Sequence, residues 1–172
     1  TIIVAHYAAR RLTHLFMIPF SVLGMTNASY CSQNYGAHLY ARIKAGIKKS
    51  ILYAWGWCTF VILITCLFAP ALIQIITSTN QPEIISTAAF YLRVDTLFYF
   101  VPAVISISRN ALQGIGDHVT PIVSSAIELL GKFLTVLFLA PALSYFGIII
   151  SEPIVWIFMV IPLIIKLRKK LI

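Results

Sequence analysis

Acid is what this chain has least of. Five Asp and Glu residues stand against thirteen Lys and Arg in 172 positions, and charged residues of both signs make up only 10% of the chain. Soluble domains carry roughly 25% charge and roughly 45–50% apolar residues. At 60% apolar, this chain lacks the polar surface to cover itself in water. Period-two alternation is also missing, and the apolar runs are about twice the length of a barrel strand, which excludes a membrane β-barrel. Cysteine is scarce: Cys31, Cys58 and Cys66 fall within or at the ends of apolar stretches, where they act as small hydrophobes rather than as a disulfide framework. The His residues show no metal-ligand spacing. There is no GxSxG, P-loop, glycine-rich phosphate cradle or HExxH, and no carboxylate pair placed for acid–base work. GIGD at 114–117 follows no strand and reads as a turn. No enzymatic activity, metal or organic cofactor is expected.

Long uncharged runs are present instead. Between Ile51 and Ile76 there are 26 residues without a charge. A bilayer core of about 30 Å is crossed by roughly 20 helical residues. Similar stretches cover 2–31, 84–112, 119–143 and 147–165. Backbone polar groups in lipid must pair internally, so these runs predict an all-α, polytopic transmembrane bundle of five helices. Pro19, Gly24 and Asn27 interrupt the first helix, which is expected to stop at Gly36. Pro102 lies inside the third, and the fifth carries Pro153 near its start and Pro162 near its end. Between the first two helices, Leu39, Ile43 and Ile47 recur every four residues, with Arg42, Lys44, Lys48 and Lys49 elsewhere. Segment 38–50 reads either as a basic amphipathic helix lying along the interface or as a short solvated connector.

The net charge of +8 is unevenly spread. Basic residues gather in the first connection and in the tail, at Lys166, Arg168, Lys169 and Lys170. The connections 77–83 (TSTNQPE) and 141–146 have none. Five crossings put both basic segments on one face, and the positive-inside rule makes that face cytoplasmic. The charge therefore reads as topology, with the C-terminus in the cytoplasm and the bilayer as partner. Contact with anionic headgroups is secondary and nucleic acid is not expected.

Ionisable groups inside the runs need a reason, because each costs from about 2.5 kcal/mol upward in the membrane. Arg93 and Asp95 are two apart and so point in different directions on a helix. Asp95 has Tyr91, Leu92, Phe98 and Tyr99 at its neighbouring helical positions, and none of them neutralises it. Glu128 and Lys132 have the spacing and order of a same-face ion pair. Arg10, Arg11, His14 and Glu152 lie nearer helix ends, at headgroup depth. One reading has Asp95, Arg93, Glu128 and Lys132 lining a water-filled cavity and coupling cations; the other makes Glu128–Lys132 a fixed bridge. Tyr91, Phe98, Tyr99 and Phe100 read either as a surface for flat cations or as ordinary packing.

The chain opens on TIIVAHYAARRLTHLF, without an initiator Met, and so reads as a piece of something larger. IPFSVLGMTNASYCSQNYGAHLYARIKAG resembles the signature of the multidrug and toxic compound extrusion (MATE) transporters, in which a small-residue helix leads to QN-x-GA and then R-x-x-x-G. ALQGIGDHVTP is similar to that family's ALRG-x-GDT-x-x-P turn, with Gln113 where the family commonly has Arg. GIIISEPIVW resembles the opening of its last helix. The matching positions are Gln33, Asn34, Gly36 and Ala37, then Gln113, Gly114, Gly116 and Asp117, then Pro153 and Trp156, all read as structural. The resemblance implies five helices, the eighth to twelfth, of a twelve-helix, two-lobe transporter of the inner (plasma) membrane. Its other partner would be an N-terminal lobe. The implied function is efflux of small organic, cationic compounds by alternating access in exchange for H⁺ or Na⁺. The alternatives are a flippase for lipid-linked saccharides from the same superfamily, favoured if Arg10, Arg11, Arg93 and Lys132 share one lumen, and a membrane assembly subunit that does not transport.

Overall fold

The computed structural model describes residues 2–78 and 80–171, Ile2 by its backbone alone; Thr79 of the TSTNQPE connection and the two terminal residues lie outside it. The described residues form helices and no strand, in the order α1 (Ile2–Gly36), α2 (Tyr40–Thr77), α3 (Pro82–Leu97), α4 (Phe100–Gly114) and α5 (Val119–Leu171). By length and composition α2 and α5 can each cross a bilayer, and α3 with α4 makes a third crossing if the bent pair is one span. At 35 residues α1 has the length, but Arg10, Arg11, His14 and Asn27 leave it less apolar than these.

Three junctions differ from the sequence expectation, each for a local reason. Segment 38–50 is neither a separate interfacial helix nor a connector: from Tyr40 onward it forms the first turns of α2. Nothing breaks the helix there, because isolated Gly46 and Gly56 weaken a helix without ending it. The four-residue apolar repeat points into the bundle, with Ile43 and Ile47 buried in the core. The helix before it runs to Gly36, but the left-handed residue is His38 (φ 57°), not Gly36. His38 N–H bonds to Tyr35 O at 3.0 Å and Leu39 N–H to Asn34 O at 2.8 Å, a Schellman closure.

The expected helix 84–112 is broken at Phe98–Tyr99, where α3 and α4 diverge by 53°. Pro102 has no N–H and its ring crowds the carbonyl four residues back, that of Phe98, so the ladder restarts beyond it. The Phe98 and Tyr99 N–H groups close short turns onto Asp95 O and Thr96 O, each at 3.1 Å. The third junction is tighter than predicted. The reversal between the expected fourth and fifth helices is a sharp break inside α5 at Ser144 (φ 53°, ψ −136°). Its two arms run back along each other: Ser124 Oγ donates to Met159 O at 3.1 Å. Each arm exceeds the roughly 20 residues a crossing needs.

The bundle has two apolar centres. One gathers Tyr99, Ala103, Ile107 and Trp156 with the first turns of α2. The other gathers Ala5, Ala8, Ala9, Tyr91 and Leu92 from α1 and α3. Small residues set the α1–α4 approach: a Cβ on Gly114 would lie 2.3 Å from Ala28 O, the close backbone contact that glycine permits between membrane helices. Gly114→Ala is therefore expected to cost about 1–3 kcal/mol as overpacking, read as a lower unfolding temperature in detergent. Gly56→Ala, whose Cβ meets nothing within 4 Å, should leave that temperature unchanged or raise it.

Candidate functional site

On α1, His6, Arg10 and Thr13 are spaced four and three apart, which places them on one face. That face meets Tyr91 and Asp95 on α3, Tyr99 at the α3–α4 break, and Tyr145 and Glu152 on the second arm of α5, forming a polar seam between apolar layers. Asp95 is at its centre, with 0% of its surface exposed. Thr13 Oγ1 donates to its Oδ2 at 3.1 Å and the Tyr99 hydroxyl donates to the same oxygen at 3.3 Å. Its Oδ1 is buried and has no hydrogen-bond partner among the described residues. Along the seam Arg10 forms an ion pair with Glu152. The Tyr145 hydroxyl lies 3.5 Å from His6 Nδ1, and the His6 ring meets Tyr91 edge-on with centroids 5.0 Å apart.

The other sequence candidates are dispersed. Arg93 turns away from Asp95, as their spacing predicts, and its Nη2 donates to Cys66 O on α2 at 3.2 Å. Tyr91 and Tyr99 are fully buried within the bundle, while Phe98 and Phe100 are half-buried. Lys132 Nζ donates to Glu128 Oε1 at 2.9 Å, the expected i,i+4 pair. Arg109 joins them from α4, its Nη2 4.0 Å from Glu128 Oε2 and 3.4 Å from Ser124 Oγ. The four cations do not line one cleft: Arg10 and Arg11 border an open cleft of about 840 Å³ with His6 and His14, whereas Arg93 of α3 is bonded to α2 and Lys132 is bonded along α5.

The QN-x-GA and GIGD motif positions gather at the opposite end, whereas Pro153 and Trp156 lie beside the seam, next to Glu152 and Tyr99. Gln33 and Gln113 line one shallow depression with Ala28 and Gly114. Asn34 Nδ2 donates to Tyr30 O at 2.8 Å. Gly36 and Ala37 are exposed at the α1 terminus and Pro153 is buried. Trp156 packs edge-on to Tyr99, centroids 6.4 Å apart. Gly116, at φ 82°, supplies a second Schellman closure, with Asp117 N–H on Leu112 O at 2.8 Å. Asp117 then starts α5, its Oδ1 accepting from Thr120 N–H at 3.0 Å. Its Oδ2 lies 3.6 Å from Lys166 Nζ. Burial alone would raise this carboxyl, but the Thr120 N–H and hydroxyl and the charges of Lys166 and Lys170 outweigh it and hold the acid below its ordinary value.

Sequence reasoning missed Thr13, the Arg10–Glu152 pair and Arg109. Arg10 and Glu152 are not separate ions; each meets its partner 142 residues away. The available signal was the face shared by His6, Arg10 and Thr13. The Tyr99 hydroxyl partners Asp95 from the i+4 position without neutralising its charge.

Glu152→Gln, which leaves Arg10 unpaired, is expected to cost about 2 kcal/mol; fully buried pairs lose about 3–5 on truncation, and the Arg10 side chain keeps 33% of its surface exposed. The double variant R10Q/E152Q should recover part of that loss in thermal unfolding. Asp117→Asn keeps a capping oxygen for Thr120 N–H but removes the charge facing Lys166 and Lys170, and should cost about 0.5 kcal/mol. Because the folded Asp117 has the lower pKa, its contribution is complete at neutral pH and disappears as acid titrates it through that folded value. The gap in unfolding temperature between wild type and D117N should therefore narrow on acidification.

A family model described as MatE matches residues 3–135. No curated protein and no solved structure matches the chain. The matched residues span α1 to α4 and most of the first arm of α5, including Asp95, the QN-x-GA terminus and the GIGD turn. With that match over more than half its length and with helices apolar enough to cross a bilayer, the chain is a membrane protein that belongs to the MatE family of transporters.

Proposed function

We propose that the protein exports small organic compounds by alternating access in exchange for H⁺ or Na⁺, with Asp95 as the coupling carboxylate of this lobe and a second, N-terminal lobe completing the path. The observation that carries this reading is the divided state of the Asp95 carboxyl: one oxygen accepts from Thr13 and Tyr99 while the other, buried, has no hydrogen-bond partner among the described residues. A carboxylate without a bound cation is costly at such a position. A proton or sodium ion on the free oxygen neutralises it, and the two hydroxyls hold the carboxyl oriented while that happens. Tyr99 stands at the break between α3 and α4, so a change at Asp95 reaches the bend through one hydrogen bond.

The substrate reading is a small organic cation, which the family resemblance implies. Phe98 and Phe100, half-buried, are the aromatics open to cation–π contact, since Tyr91 and Tyr99 are packed inside. Dispersal of Arg10, Arg11, Arg93 and Lys132 favours export over the flipping of lipid-linked saccharides. Lys44 and Lys48 lie beside Arg168 at one end of the bundle, which supports an orientation with that end, and the C-terminus, in the cytoplasm of a plasma (inner) membrane.

In vesicles containing the complete transporter, Asp95→Asn should abolish transport driven by an imposed H⁺ or Na⁺ gradient while yield and membrane insertion stay at wild-type levels. Asp95→Glu should retain part of the activity. Unchanged gradient-driven transport by D95N removes Asp95 from the mechanism.

A further inference from the structure

At the basic end of the bundle, a groove of about 620 Å³ runs between the first turns of α2 and the last turns of α5. Its rim is cationic, formed by Lys44, Lys48 and Arg168, all three exposed. Among the described residues no carboxylate lies within ion-pair distance of them, whereas nearby Lys166 has Asp117. The groove floor is apolar, with Ile51, Trp55 and Leu167 along it.

The order of these residues along α2 selects the occupant. Lys44, Lys48, Ile51 and Trp55 are four, three and four apart, so they form one stripe that starts cationic and turns apolar as it enters the uncharged run. A soluble anion would use the rim and leave the floor wet; an apolar helix would use the floor and leave three cations unanswered. A molecule with an anionic head and a hydrocarbon tail satisfies both, and it meets them in the order in which a bilayer leaflet presents them. Trp55 lies where an aromatic ring bridges headgroups and chains, and its indole N–H is already held by Phe100 O at 3.3 Å. Basic pockets between membrane helices are suited to such headgroups.

We propose that this groove binds one phospholipid with an anionic headgroup, Lys44, Lys48 and Arg168 holding the headgroup and an acyl chain lying over Ile51, Trp55 and Leu167. The lipid joins the start of α2 to the end of α5, two segments more than a hundred residues apart in the sequence.

The test is quenching of Trp55 fluorescence by brominated lipid in vesicles holding the complete protein, with the Trp55 part taken as the difference from Trp55→Phe. Brominated phosphatidylglycerol should quench that part at a lower mole fraction than brominated phosphatidylcholine. The preference should fall about fivefold for each cation neutralised in K44Q, K48Q and R168Q. The charge-conserving variant K44R/K48R/R168K should keep it, and circular dichroism should show wild-type helix content throughout. Equal quenching by the two lipids, or a preference that survives K44Q/K48Q/R168Q, overturns the proposal. Quenching by neither lipid assigns the groove to protein, and loss of the preference on adding glycerol phosphate assigns it to a soluble anion; either result also overturns it.

Discussion

The expense of an unpaired charge in hydrocarbon is the constraint that the arrangement of this chain answers throughout. With five acids against thirteen cations, the acids are the scarce partners, and the structure spends most of them on specific bonds. Glu152 takes Arg10, Glu128 takes Lys132 with Arg109 nearby, and Asp117 takes Lys166 while capping a helix. Each bond ties two helices together or two turns of one helix. Asp95 is the exception: it is wholly buried and receives two neutral hydroxyls instead of a cation. In a bundle where the other buried or half-buried carboxylates are answered by a positive charge, Asp95 differs from them, and the proposed ion coupling rests on that difference.

Packing around that carboxylate explains why it is held so firmly. The face of α1 that carries Thr13 also carries Ala5, Ala9 and Leu12 into the apolar centre shared with α3. Asp95 is therefore positioned by neighbours that cannot rotate away without opening the core. Tyr99 is fixed in the same manner by Phe20 and Trp156, whose rings meet it edge-on at 6.2 and 6.4 Å. Both hydroxyl donors are thus held in place by the packing around them.

Much of this was legible in the residues. Uncharged runs of bilayer length announced a helical membrane bundle, and the i,i+4 spacing of Glu128 and Lys132 foretold their bond. The divergence of Arg93 from Asp95 followed from a spacing of two. What was not legible depended on contacts between distant segments or on backbone geometry of one residue. Arg10 and Glu152 find each other only once α5 has doubled back at Ser144. Pro102 was visible in the sequence as a weak point, but that the helix would break four residues earlier, beside Asp95, follows from how its ring crowds the Phe98 carbonyl. The apolar repeat at Leu39, Ile43 and Ile47 was read as one face of an interfacial helix or as part of a connector, and the face instead continues into α2 with Ile43 and Ile47 buried, because periodicity alone does not say what a stripe will meet.

Gly114 lies against the Ala28 carbonyl with no room for a methyl group, while Gly24 is met by the end of the Asn110 side chain, which can turn aside. The abutment at Gly114 acts as a dowel between α1 and α4. Sliding one helix past the other at that height drives backbone into backbone, so a rearrangement of the bundle is taken up more easily at joints outside their shared surface.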